Sequence, residues 1–199
     1  MVALLVALPQ THPWVQRIDD DVLALAVRGQ NRPATVVSEA LSLLGSAWVN
    51  WPLRILAAVL LLARRRYLQL AAFALAVLTS EVLIGVLKAA YARPRPPDSL
   101  IATSGYAFPS GHAVATAVTA VGLVLVLLPP GRARWRWEVA AVALTSIMAL
   151  SRVYLHAHWL SDTVAGALLG AGLALGWPAV VVTLFRSRAP APEAADLST

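Results

Sequence analysis

The chain has 199 residues, 59% of them hydrophobic and 13% charged, with a mean hydropathy of +0.70; soluble domains carry about a quarter charged residues, so that class is excluded. Cysteine is absent, which excludes disulfides and thiolate metal sites, and the four histidines are too scattered to form a metal-binding tract. The net charge of +6 and pI near 10.7 arise from short arginine clusters between apolar stretches, a pattern of membrane topology and not of a nucleic-acid-binding face.

The opening stretch, Met1 to Leu8, is apolar but has no basic leader and reaches Pro9 too soon for a secretory signal peptide, so it is expected to stay in the mature chain. Trp14 to Arg28 mixes Trp14, Val15, Ile18, Val22 and Leu25 with Arg17 and Asp19 to Asp21. That mixture predicts a helix lying along the headgroups and not crossing the bilayer. A bilayer core asks for about 20 mostly apolar helical residues. Val36 to Ala63 meets this irregularly, because Glu39, Asn50, Pro52 and Arg54 interrupt it, and a tilted or kinked helix is expected. Four further runs are clearer: Tyr67 to Ala90, Ala113 to Leu128, Val139 to Leu155, and Leu160 to Phe185, the last broken by glycine-rich turns and Pro178. The tail after Arg188 is polar and expected to be disordered.

The fold class predicted is therefore all-α: an integral membrane bundle of five to six transmembrane helices with an N-terminal interfacial segment. Residues 1–188 form one membrane domain and 189–199 a cytoplasmic tail. Arg64 to Arg66, then Arg132, Arg134 and Arg136, then Arg186 and Arg188 fall at alternate loop ends, which the positive-inside rule places in the cytoplasm. The Tyr91 to Pro109 loop and the Ser151 to Asp162 turn then face the extracytoplasmic side of the inner (plasma) membrane.

Three clusters on that side carry chemistry. In the first, Lys88 ends a helix and Arg93-Pro94-Arg95-Pro96 follows in a segment the prolines keep extended. Snorkelling cations at a helix end would look similar, but Lys88 is the only lysine among 16 basic residues. In the second, Phe108 to His112, Ser110 is a candidate N-cap and Gly111 lets backbone amides approach a ligand. A helix start with free N–H groups suits phosphate, and His112 adds a titratable group. In the third, a helical Ser151 to Asp162 would set His158 and Asp162 four apart on one face, the carboxylate holding one ring nitrogen and leaving the other free to attack. Arg152 precedes them, near enough to grip the group under attack.

His156 would point to a different face, for which a structural or interfacial role is expected over a metal pair with His158. His12 has no identifiable partner. Glu81, seven residues before Lys88 and about 10 Å deeper, is an intramembrane acid that pairs with a buried cation or is protonated.

Read in order, Lys88, Arg95 and Pro96, then Pro109 to His112, then Ser151, Arg152, His158 and Asp162 resemble the complete three-part signature of the type 2 phosphatidic acid phosphatase family, with no position departing from it. The resemblance implies that His158 is the nucleophile and forms a phosphohistidine, which Asp162 orients and stabilises. His112 serves as acid to the leaving group and then as base to water. Lys88, Arg95 and Arg152, with Ser110 and the amides of Gly111 and His112, hold the phosphate without a metal or other cofactor. The expected partners are the bilayer and a lipid phosphate or diphosphate, with undecaprenyl diphosphate first and phosphatidylglycerophosphate or phosphatidate next. Transfer of phosphate to another lipid or sugar, and a non-catalytic transport or lipid-binding role, are the alternatives.

Overall fold

A computed structural model describes residues 13–186; Met1 to Leu8, His12, Arg188 and the 189–199 tail lie outside the described residues. Among the described residues the chain is all helical, with seven helices and no strand: α1 (Pro13–Arg28), α2 (Arg32–Leu44), α3 (Ala47–Ala63), α4 (Tyr67–Tyr91), α5 (Gly111–Leu127), α6 (Arg132–Tyr154) and α7 (Leu160–Arg186).

The kink expected between Val36 and Ala63 is a true break. The Asn31 side chain accepts from the Ala34 amide at 3.0 Å, with Pro33 in the first turn, and so starts α2. Gly45 ends it, and the axis turns by 40° into α3. The break is held by side chains: Asn50 Nδ2 donates to the carbonyls of Leu44 and Ser46 at 3.1 and 3.0 Å. Pro52 is accommodated within α3. Gly45 lies tight against its neighbours: a Cβ there would stand 2.7 Å from Met148 Cε and 2.9 Å from His112 Cδ2, so those side chains would have to shift.

The last helix departs from the sequence expectation. Leu160–Arg186 is continuous, with Pro178 inside it, and Gly166 and Gly170 within it are packing contacts, not turns. A Cβ on Gly166 would meet the Ser110 carbonyl oxygen at 2.8 Å, and one on Gly170 the Val114 oxygen at 2.5 Å and Ala117 Cβ at 2.8 Å. Two glycines four apart thus let α7 lie backbone to backbone on α5, as small residues do between helices in lipid. α6 also begins earlier than expected, at Arg132 instead of Val139, and an Arg134–Glu138 ion pair of 2.7 Å one turn apart supports that extra length.

By length and composition α4 and Leu160–Phe185 can each cross a membrane, with a third crossing if α2 and α3 form one bent span; α5 is a shorter apolar helix. Inside, Leu61, Phe73, Val77 and Val126 join α3, α4 and α5, and Ala76, Val118 and Ala174 join α4, α5 and α7. Outside, Leu78, Val82, Val86, Leu168 and Leu175 are exposed, an apolar surface that lipid covers and water would not tolerate. The chain is a membrane protein. α4 and α5 run in opposite directions, so the Arg64 to Arg66 turn, which reaches the end of α5 through Arg66 Nη1 and the Val126 carbonyl at 3.2 Å, lies at the end of the bundle opposite the candidate site.

Candidate functional site

The site is built where α4 and α6 end and α5 and α7 begin. α4 stops when Ala92 enters the left-handed region, φ 42°, its amide donating to the Lys88 carbonyl at 3.0 Å. The prolines then keep residues 93–96 extended across the mouth of the bundle. Arg95 is fixed by carbonyls: Nε donates to Gly105 at 3.0 Å, Nη1 to Ala157 at 2.6 Å, and Nη2 to Ser104 at 2.8 Å and Tyr106 at 3.3 Å. Lys88 Nζ donates to the same Tyr106 carbonyl, so the two cations lie side by side. Burial lowers the pKa of Arg95 against the opposing pull of Asp162.

His158 does not stand on a helix, which corrects the sequence expectation. It belongs to the turn between α6 and α7, where His156 takes a positive φ of 53° and the amides of Ala157 and His158 return to the Arg152 carbonyl at 3.0 and 3.3 Å. Asp162 is in the first turn of α7. The pair still meets: His158 Nδ1 is 3.8 Å from Asp162 Oδ2, a contact longer than a hydrogen bond. On the other side, Nε2 is 3.2 Å from Arg95 Nη1. A guanidinium only donates, so Nε2 is the acceptor and the ring proton sits on Nδ1, toward the carboxylate. Burial pushes the His158 pKa down from 6.5 to about 4; Asp162 raises it, and Arg95 and Arg152 lower it further. The ring is therefore neutral at pH 7, with the Nε2 lone pair among cations.

Around it stand buried polar groups without a protein partner. Ser110 is at the N-cap position of α5, but its hydroxyl makes no cap bond. Its Oγ is buried and unpaired, as is Nε of Arg152. The Ser110 amide instead donates to the Asp162 carbonyl at 3.1 Å, tying the start of α5 to that of α7. Such orphaned groups ask for a polar ligand. His112, one residue beyond Gly111, is within electrostatic reach of Arg152, His158 and Arg95. The structure thus brings together Lys88, Arg95, Ser110, Gly111, His112, Arg152, His158 and Asp162 at one end of the bundle. Among the described residues no cluster of three His, Cys, Asp or Glu side chains is arranged to hold a metal ion.

Two residues stand elsewhere. His156 Nδ1 donates to the Asp98 carbonyl at 3.1 Å, leaving Nε2 to accept from the Gln30 amide at 3.0 Å; it fastens the α1–α2 turn to the loop. Glu81 pairs with buried Arg54 at 2.6 Å, while Arg54 Nε donates to Thr119 at 2.9 Å. This ion pair lies deeper in the bundle.

A model of the PAP2 superfamily matches residues 69–186, more than half of the chain. The chain belongs to the PAP2 superfamily. Among solved structures, a transmembrane PAP2-type phosphatidylglycerolphosphate phosphatase from Bacillus subtilis is similar at 26% identity, with a TM-score of 0.75 and 94% of each chain covered. LpxE from Aquifex aeolicus is similar at 20% identity and a TM-score of 0.64 over 82% of this chain and 93% of its own, which speaks for the fold alone. An undecaprenyl-diphosphatase from Sulfolobus acidocaldarius is 35% identical over 77 residues, 39% of this chain; the chain spans only 31% of that relative's length.

For this PAP2 member, sequence reading missed the supports behind the site. Arg93, buried, pairs with Asp162 at 2.6 Å and Asp19 at 2.8 Å, and Arg152 Nη1 donates to Ser42 on α2. Asp19 did carry a signal: it stands four residues after Val15 on the buried face of α1, an acid where the helical period calls for an apolar residue.

Proposed function

We propose that the chain is a lipid phosphatase that hydrolyses a lipid phosphate or diphosphate without a metal, through a phosphohistidine on His158. The observation that carries this reading is the disposition of one ring: Nδ1–H toward Asp162 at 3.8 Å and Nε2 toward Arg95 at 3.2 Å. A phosphoryl group beside Arg95, Lys88 and Arg152, touching Ser110 Oγ, would meet the Nε2 lone pair in line with its leaving oxygen. As the N–P bond forms, the P–O bond to the departing lipid alcohol, or to the lipid phosphate of a diphosphate, breaks; His112, protonated once the anionic substrate offsets the cations around it, gives its proton to the departing oxygen. It then takes one from the water that cleaves the N–P bond, returning His158 neutral and releasing inorganic phosphate.

Undecaprenyl diphosphate is the proposed first substrate, and the partial similarity to the archaeal diphosphatase supports it. Phosphatidylglycerophosphate is the second reading, favoured by the likeness to the Bacillus subtilis enzyme over 94% of the chain. An apolar cavity of about 170 Å³ between the α2–α3 break, α5 and α6, lined by Leu44, Leu53, Leu123 and Met148, supports lateral entry of a lipid tail. The proposed topology has five to six spans counting α2–α3 as broken, α1 lying in the interface, residues 1–188 acting as one domain, and the site on the extracytoplasmic face of the plasma membrane. Phosphate release by the purified protein in detergent with EDTA, across undecaprenyl diphosphate, phosphatidylglycerophosphate and phosphatidate, tests both readings. Release from none of them, with or without a divalent ion, sinks the proposal, and release only with the ion sinks its metal-free mechanism.

A further inference from the structure

Behind His158 lies a buried chain of three charges. Arg93 uses all four terminal hydrogens: Nη1 donates to Asp162 Oδ1 at 2.6 Å and Ser161 Oγ at 2.7 Å, and Nη2 to Asp19 Oδ2 at 2.8 Å and Gln16 Oε1 at 2.8 Å. Asp19 in turn accepts from the Ser161 amide at 2.8 Å and the Ser161 hydroxyl at 2.6 Å. The three charged side chains are 3%, 1% and 0% exposed for Arg93, Asp19 and Asp162. Trp159 lies under the guanidinium at 5.4 Å and donates its backbone amide to Asp162 Oδ2 at 3.0 Å.

Burying charge is costly unless it is paired and fully hydrogen-bonded. Arg93 with Asp162 alone would be a neutral pair, and the carboxylate beside His158 would have little field left for a ring that becomes positive. Asp19 changes that sum: two carboxylates on one guanidinium leave the group at −1, with Asp162 nearest the ring. The same contacts hold Asp162 in place, because Asp19 receives both hydrogen bonds from its neighbour Ser161 and so docks α1 onto the first turn of α7. Asp19 lies outside the stretch matched by the family model, residues 69–186, so the N-terminal helix completes a site whose reacting groups all come later in the chain.

We propose that Asp19 and Arg93 are positioning residues for the reaction: the Asp19–Arg93–Asp162 chain aims the Asp162 carboxylate at His158 Nδ1 and keeps that corner of the site net negative. Neither touches the phosphate. This inference rests on the phosphatase reading, and the test separates the two.

Phosphate release is measured with full-length protein in detergent micelles on undecaprenyl diphosphate, phosphatidylglycerophosphate and phosphatidate, and kcat and KM are taken on the best of them. A wild-type protein inactive on all three overturns the phosphatase reading itself; with an active wild type, the variants decide the roles of Asp19 and Arg93. Asp19→Asn, which keeps shape but removes charge, should lower kcat about 10- to 100-fold, as outer partners of site groups typically do, with KM within about twofold. Arg93→Lys should do the same, since an ammonium cannot bridge two carboxylates in a planar fork. The double variant Asp19→Asn/Asp162→Asn should be no slower than Asp162→Asn alone, because Asp19 works only through Asp162. Losses that multiply in the double variant, or single variants within twofold of wild type, overturn the inference. A loss in KM instead of kcat does the same. Should Asp19→Asn aggregate on size exclusion, Arg93→Lys and Arg93→Lys/Asp162→Asn answer the same question.

Discussion

At His158, removing the ring should abolish turnover, whereas His156→Ala should keep most of it and lower the melting temperature, because both ring nitrogens of His156 are engaged, one by the Asp98 carbonyl and one by Gln30. Phosphate release and thermal unfolding measured side by side check the contrast; an inactive His156→Ala beside an active His158→Ala would reverse the assignment of the nucleophile. Asp162→Asn should cut kcat by about 10³- to 10⁴-fold, as loss of the orienting acid does in a triad. Its apparent affinity for substrate should change far less, since Lys88, Arg95 and Arg152 remain. Retention of a third of the rate would make Asp162 a structural cap of the Trp159 amide. The depressed pKa of His158, about 4 against 6.5 in the unfolded chain, has a consequence for stability. Between those two values the unfolded chain binds a proton that the folded one does not, so stability falls as pH drops from about 6.5 to 4; above 6.5 the group contributes no slope. His158→Gln should flatten part of that slope in melting temperatures recorded across this window.

The elements meet through a few positions where only a small residue fits. A Cβ at Gly170 would lie 2.5 Å from the Val114 carbonyl oxygen, while Gly176 has nothing within 4 Å. Gly170→Leu should therefore push α7 off α5, destabilise by about 1–3 kcal/mol and weaken activity, because the Ser110–Asp162 backbone bond of 3.1 Å joins the starts of the same two helices. Gly176→Ala should stabilise by up to about 1 kcal/mol, since alanine is the better helix former and the site is open. Melting temperatures of the two variants in one detergent decide it; equal effects would mean that the glycine faces carry no packing. The α2–α3 break belongs to the same scale. Its Gly45 lies against Met148 and His112, so a bend that sequence shows only as interrupted hydropathy also shapes one wall of the site.

For the whole molecule, orientation in the bilayer is testable because the chain has no cysteine and single cysteines can be introduced at will. One in the 97–105 loop should react with an impermeant thiol reagent in intact cells and one at position 134 should not; the reverse labelling would turn the site to the cytoplasm. The sequence by itself determined the membrane class, the helical fold and the eight candidate site residues, because hydropathy is a local property and the spacing of Lys88, Arg95, Ser110, Gly111, His112, Arg152, His158 and Asp162 is written along the chain. It could not determine that α7 runs unbroken through its glycines, since a glycine reads as a turn until a partner helix lies against it. Nor could it show that His158 stands in a turn instead of on a helix, because the turn is held by bonds back to the Arg152 carbonyl and by the α1–α2 segment. The tertiary structure alone brought Asp19 and Arg93, 74 residues apart in sequence, into one buried ion chain behind Asp162. Charge pairing acts through space, and no local pattern records which acid a buried guanidinium will meet.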